Sequence, residues 1–170
     1  MKNEILQGDV IARLKDIPDD YVQMVCTSPP YWALRDYGKE GQFGLEPTPE
    51  LYVEKLVEIG QELKRVLRKD GTFWLNLGDT YWGGGWRGAE LNENSGEVQK
   101  AHEGTHCGDS MTMGKGSHDV IKTKDMVGIP WRSAFGLQSD GWYLRQDIIW
   151  NKPNPMPESV TDRCTKAHEY

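Results

Sequence analysis

No stretch of this 170-residue chain approaches the ~20 consecutive apolar residues that a membrane-spanning helix needs. Its start, Met1-Lys2-Asn3-Glu4, lacks the apolar core of a signal peptide. The expectation is a cytoplasmic protein with no membrane partner. Cysteine is scarce: Cys26, Cys107 and Cys164 are odd in number and far apart, which argues for reduced thiols over a disulfide framework. Cys26, inside an apolar run, reads as a buried small hydrophobe. Surplus positive charge is missing too. With 20 Lys and Arg against 26 Asp and Glu the net charge is -6, so any phosphate contact has to come from a local patch. Metal-ligand spacing is also lacking, because His102, His106, Cys107 and His118 match no strong finger pattern, and no metal is expected.

What remains is a chain of 37% hydrophobic residues with seven tryptophans. That composition fits one globular domain, and a mean hydropathy of -0.68 adds a substantial solvated segment. Glu4 to Gln7 reads as a short strand ending at Gly8-Asp9, and Val10 to Leu14 as the start of a helix. Tyr21 to Cys26 is a second strand. Thr48 as N-cap, Pro49 at the first helical position and Leu51, Leu56, Ile59, Leu63, Val66 and Leu67 at helical spacing predict a helix that stops at Gly71. Thr72 to Leu77 reads as a buried strand with Gly78-Asp79 at its end. From 83 to about 128 the sequence is polar, glycine-spotted and aperiodic, a long flexible loop. A helix from Ile129 to about Asp140 and a strand from Trp142 to Lys152 follow, closed by three prolines. Strand, helix, strand in this rhythm predicts an α/β fold with a mostly parallel sheet, and its ligands gather at the carboxyl edge.

Chemistry stands at one strand end. Ser28-Pro29-Pro30-Tyr31 follows the run Val22, Met24, Val25, Cys26. An exocyclic amine on a nucleobase is a poor nucleophile, because its lone pair is delocalised into the ring. Acceptors that bond its N–H groups counter this. Ser28 offers a hydroxyl, and Pro29 offers a carbonyl whose direction Pro30 restricts. Tyr31 supplies a flat face for a base taken out of the duplex, a contact worth about 1–3 kcal/mol. Trp32 either extends that platform or packs beneath it. On its own, the tetrapeptide is equally read as an apolar strand ended by two prolines.

The surrounding blocks decide between these. Ser28 to Tyr31, the segment from Arg65 through Gly71 to Asp79, Gly8-Asp9, and Asp147-Ile148-Ile149-Trp150-Asn151-Lys152-Pro153 stand in the order of a family pattern. In them the chain resembles the amino-terminal part of DNA amino-methyltransferases of the N4-cytosine/N6-adenine group, in the permuted β arrangement. The resemblance implies an incomplete Rossmann-like methyltransferase sheet with helices on both faces, forming one partial domain over 1–170. It implies methyl transfer from S-adenosylmethionine to a flipped base in double-stranded DNA, with restriction-modification as the setting. Ser28, Pro29, Pro30 and Tyr31 would be catalytic, and Gly8 and Asp9 would hold the cofactor. Trp32, Asp79, Trp150 and Lys152 would face the base or the DNA, with Asp79 equally able to cap a turn. Serine in place of Asp at position 28 favours cytosine N4 over adenine N6.

One departure weighs against a self-sufficient enzyme: the family's Phe-x-Gly-x-Gly cofactor loop occurs nowhere in the 170 residues. Cofactor binding is therefore expected to need further carboxyl-terminal sequence or a second subunit. The alternative is a noncatalytic remnant that binds DNA or a partner through an uncovered sheet edge.

Overall fold

The computed structural model describes residues 3–83 and 118–170. Its elements are α1 (Val10–Leu14), β1 (Val22–Thr27), α2 (Pro49–Val66), β2 (Leu67–Leu75), α3 (Ile129–Ser139), β3 (Trp150–Asn151) and β4 (His168–Glu169). β1 and β2 run parallel, with Val25 opposite Phe73 and Cys26 opposite Trp74. β3 and β4 pair antiparallel. Just past β2, Leu77 and Tyr170 exchange both backbone hydrogen bonds at 2.8 and 3.1 Å, an antiparallel contact that ties the last strand to the carboxyl end of β2. The α/β arrangement agrees with the expected incomplete Rossmann-like sheet.

α2 is the spine. The Thr48 hydroxyl accepts from the Leu51 amide, Pro49 opens the first turn, and the apolar stripe serves two cores. Its first half places Tyr52 and Val53 against Trp32, Trp82, Ile121, Val127 and Ile129. Its second half places Leu63 and Val66 against Leu14, Val22, Val25, Phe73 and Trp142. α3 lies close because α2 has a glycine at the contact: a Cβ on Gly60 would sit 2.6 Å from Leu137 Cδ2.

Four expectations are corrected. Glu4 to Gln7 forms no strand; Ile5 is 96% exposed, with no neighbouring strand to bond among the described residues. The strand in 142–152 is confined to Trp150–Asn151, because among the described residues only that dipeptide meets a partner strand, β4. α2 ends at Val66, five residues before Gly71, because buried Leu67 already pairs with Val22; the register then slips and resumes at Thr72 opposite Met24. Cys26 is an exposed thiol, since after that irregularity Met24 and Cys26 face away from the packed side of β1. Of the predicted loop, 84–117 lies outside the described residues. The stretch from His118 is aperiodic but packed: Ile121 and Val127 are core, and Tyr81 bridges Met126.

Candidate active site

Ser28 to Tyr31 leaves the carboxyl end of β1, as the pattern predicts. The turn is held from below. The Tyr52 hydroxyl on α2 donates to the Pro30 carbonyl at 3.1 Å, which leaves the Pro29 carbonyl without a donor among the described residues. The Tyr31 ring lies on Gly78, where a Cβ would come within 2.6 Å of Cε2, so only glycine permits this approach.

The hydroxyls of Ser28 and Tyr31 turn towards each other, 3.3 Å apart. Both reach Asn76 Oδ1, Ser28 at 3.2 Å and Tyr31 at 2.7 Å. The amide orientation of Asn76 is fixed because Nδ2 donates to the Tyr170 carbonyl at 3.0 Å. Tyr31 also stands 3.0 Å from Glu169 Oε2, and Lys152 forms an ion pair with Oε1 of that carboxylate. Burial pushes the Tyr31 phenol above its ordinary range; the Ser28 hydroxyl opposes this and Glu169 reinforces it. Burial pulls the Glu169 carboxyl upwards, but Lys152 and Tyr31 outweigh it and hold the carboxyl below its usual value. Lys166 Nζ lies buried over the Tyr170 ring at 4.8 Å, and burial pushes its ammonium down.

Sequence-predicted residues divide sharply. Ser28, Pro29, Pro30, Tyr31 and Lys152 come together. Trp150 is on β3, 63% exposed. Trp32 is a correction: it is 2% exposed, stacked on Trp82 at 6.1 Å, with its indole N–H donating to the Glu46 carbonyl, so it packs beneath the site and offers no face to a base. Asp79 takes the capping alternative, accepting from the amides of Gly128 and Ile129 at the start of α3, all at 3.0 Å. Asp9 lies apart from this cluster, where its carboxylate caps α1 through the Ala12 amide. Asn76 and Glu169 were missed. Asn76 had a signal, a lone amide inside the apolar run Phe73-Trp74-Leu75-Asn76-Leu77. Glu169 had none, because a two-residue strand gives no periodicity to read. Among the described residues no group of His, Cys, Asp and Glu is arranged to hold a metal, and no helix is long and apolar enough to cross a membrane.

With this geometry in place, a profile of the N6/N4 DNA methylases matches residues 22–170. The chain belongs to the N6/N4 DNA methylase family. Among relatives in this family, the type II methyltransferase M.XycI of Xanthomonas campestris pv. cyanopsidis is 48% identical over 168 residues, which are 98% of this chain and 52% of that protein. M.SmaI of Serratia marcescens is 45% identical over 169 residues, again 98% of this chain and 53% of the relative. The chain thus spans about half the length of the curated relatives it matches. The fold is that of the PvuII DNA methyltransferase, described as cytosine-N4-specific, at a TM-score of 0.59 and 18% identity, over 95% of this chain and 45% of the other.

Proposed function

We propose that this chain is the base-binding part of a DNA methyltransferase that moves a methyl group from S-adenosylmethionine to the exocyclic amine of a flipped base in double-stranded DNA. The observation that carries the reading is the turn at Ser28 to Tyr31: a hydroxyl steered by Asn76, and a Pro29 carbonyl with no donor among the described residues, stand beside an aromatic ring. The two oxygens bond the amine's two N–H groups, drawing the nitrogen towards tetrahedral geometry, while the Tyr31 ring stacks on the base. Cytosine N4 is favoured over adenine N6, on Ser28 and on the likeness in fold to the cytosine-N4-specific PvuII enzyme. Trp150, exposed beside Lys152, faces the DNA.

The residues present suit the base end and not the donor end. Asp9 is engaged at α1, Gly8 lies beside it on an exposed segment, and no glycine-rich strand-to-helix turn occurs in the sequence. A complementary segment, in the same or a second polypeptide, would hold the methyl donor when bound. The soluble, cytoplasmic setting of restriction-modification fits this role.

The test joins this chain to the portion of M.XycI that it does not match and assays methyl transfer to plasmid DNA, with the chain alone beside it. N4-methylcytosine in the nucleoside digest of the joined protein is the expected result. N6-methyladenine would reverse the base assignment, and neither would remove the reading. A second reading, a noncatalytic module that binds a partner, draws on one observation: Met24 (57% exposed) and Trp74 (47%) lie uncovered on β1 and β2. Methyl transfer by the joined protein excludes it.

A further inference from the structure

The cluster around Tyr31 is short of hydrogen. Ser28 to Tyr31, Ser28 to Asn76, Tyr31 to Asn76 and Tyr31 to Glu169 make four oxygen–oxygen contacts of 3.3, 3.2, 2.7 and 3.0 Å. Only two hydroxyl protons are present to fill them, because Asn76 presents its carbonyl oxygen to them while its NH2 group is directed at the Tyr170 carbonyl. Lys152 on the far oxygen of Glu169 favours the ionised carboxylate. A group of oxygens with more acceptors than protons is suited to receive one.

Methylation of an exocyclic amine releases one. The nitrogen forms its bond to the methyl carbon while the carbon–sulfur bond of the sulfonium donor breaks, its electron pair staying on sulfur. The nitrogen then carries a positive charge and sheds a proton to regain conjugation with the ring. Resting on the methyltransferase reading above, we propose that this proton leaves through Ser28 and Tyr31 to Glu169. The amine proton passes to Ser28 Oγ, the Ser28 hydroxyl proton to Tyr31 Oη, and the Tyr31 proton to Glu169 Oε2. Both hydroxyls are restored and the carboxyl ends neutral. It discharges to solvent past Lys152, whose side chain is 41% exposed. Asn76, bonded to both hydroxyls, is the positioning residue that keeps them in line.

The groups facing Glu169 are Tyr31 from the turn after β1, Lys152 after β3 and Lys166 before β4; Tyr31 in turn faces Tyr52 of α2. The two lysines make Glu169 a weak base. It suffices, because an alkylated amine cut off from its ring is a far stronger acid than a carboxylic acid.

The experiment compares Glu169→Gln, Tyr31→Phe and Glu169→Asp with wild type in the joined protein, by single-turnover methyl transfer and by fluorescence of 2-aminopurine at the target base. Glutamine keeps an acceptor for Tyr31 but cannot take the proton, and phenylalanine keeps the stacking face. Glu169→Gln and Tyr31→Phe should slow transfer about 10- to 100-fold with DNA affinity and base flipping within about twofold, and Glu169→Asp should recover part of the rate. In the chain alone, carbon-13 NMR of labelled tyrosine should show the Tyr31 phenol titrating lower in Glu169→Gln. Wild-type rates in the first two variants would overturn the relay and leave the methyltransferase reading standing. A loss confined to DNA affinity would make Glu169 structural and overturn it too. No transfer by the wild-type joined protein would remove both.

Discussion

Two glycine- or proline-marked segment ends of this chain began as equals and finished differently. The end of β1 is enclosed: Tyr52 holds Pro30, Gly78 admits the Tyr31 ring, and Asn76 and Glu169 bond its hydroxyl. The end of the Glu4–Gln7 segment is open, with Ile5 exposed and a single cap bond of 2.9 Å from Ala12 to Asp9. A strand end becomes a site only when other elements close over it. β1 has β2, α2 and β4 to do this; among the described residues the first segment has no strand beside it. On the methyltransferase reading proposed above, the enclosed end would serve the base and the open end would not by itself hold the donor.

The largest break in that comparison is expected from Trp32→Ala. It empties the floor of the enclosed end, where Trp32 packs on Trp82 at 2% exposure, and should cost about 3–5 kcal/mol in urea unfolding. Trp150→Ala, removing an exposed ring of the same size, should stay within about 0.5 kcal/mol. Equal losses would mean that the two tryptophans are not divided between floor and surface. Next comes Ser28→Ala in the joined protein, which should lower turnover about 100-fold, or ~2.7 kcal/mol of barrier, with DNA affinity unchanged. A matching loss of affinity would make Ser28 a structural residue.

Much of this was legible in the sequence. Thr48, Pro49 and the stripe from Leu51 to Val66 located α2, and the Ser28 to Tyr31 turn stood where the apolar run ended. What failed was whatever depended on a partner. Ile5 and Leu6 have strand-like composition, as do Ile148 and Ile149, but strands exist by pairing, and composition does not name the neighbour. Trp32 and Asp79 each stood open between two roles for a related reason. Adjacency to the motif put Trp32 near the site and a strand end put Asp79 there, while burial against Trp82 and the needs of the α3 amides decided what they do. Glu169 is the converse, brought to Tyr31 across 138 residues by a two-residue strand.

A smaller effect separates the ends by pH. The folded Glu169 carboxyl titrates below its ordinary value of 4.5, so its contribution to stability is fully present above that value and fades as pH falls through the folded one. The stability gap between wild type and Glu169→Gln, read from urea midpoints, should therefore be widest near neutrality and close in acid. A gap that widened in acid would mean that Glu169 is held protonated, with Lys152 failing to govern it.

The smallest effect probes the open end directly. Asp9→Ala removes one cap bond from the five-residue α1 and should cost about 0.5–1 kcal/mol, because an exposed N-cap on a short helix contributes little more. In the chain alone, calorimetric titration with S-adenosylmethionine should give a Kd above about 100 µM, weaker than about -5.5 kcal/mol, with or without the substitution. In the joined protein the same substitution should weaken that binding, since Asp9 would then face a completed donor site. Micromolar binding by the chain alone, lost on Asp9→Ala, would show that the open end already holds the donor. The contrast between the two ends would then lie in how tightly each is packed, and both halves of the reaction would belong to these residues.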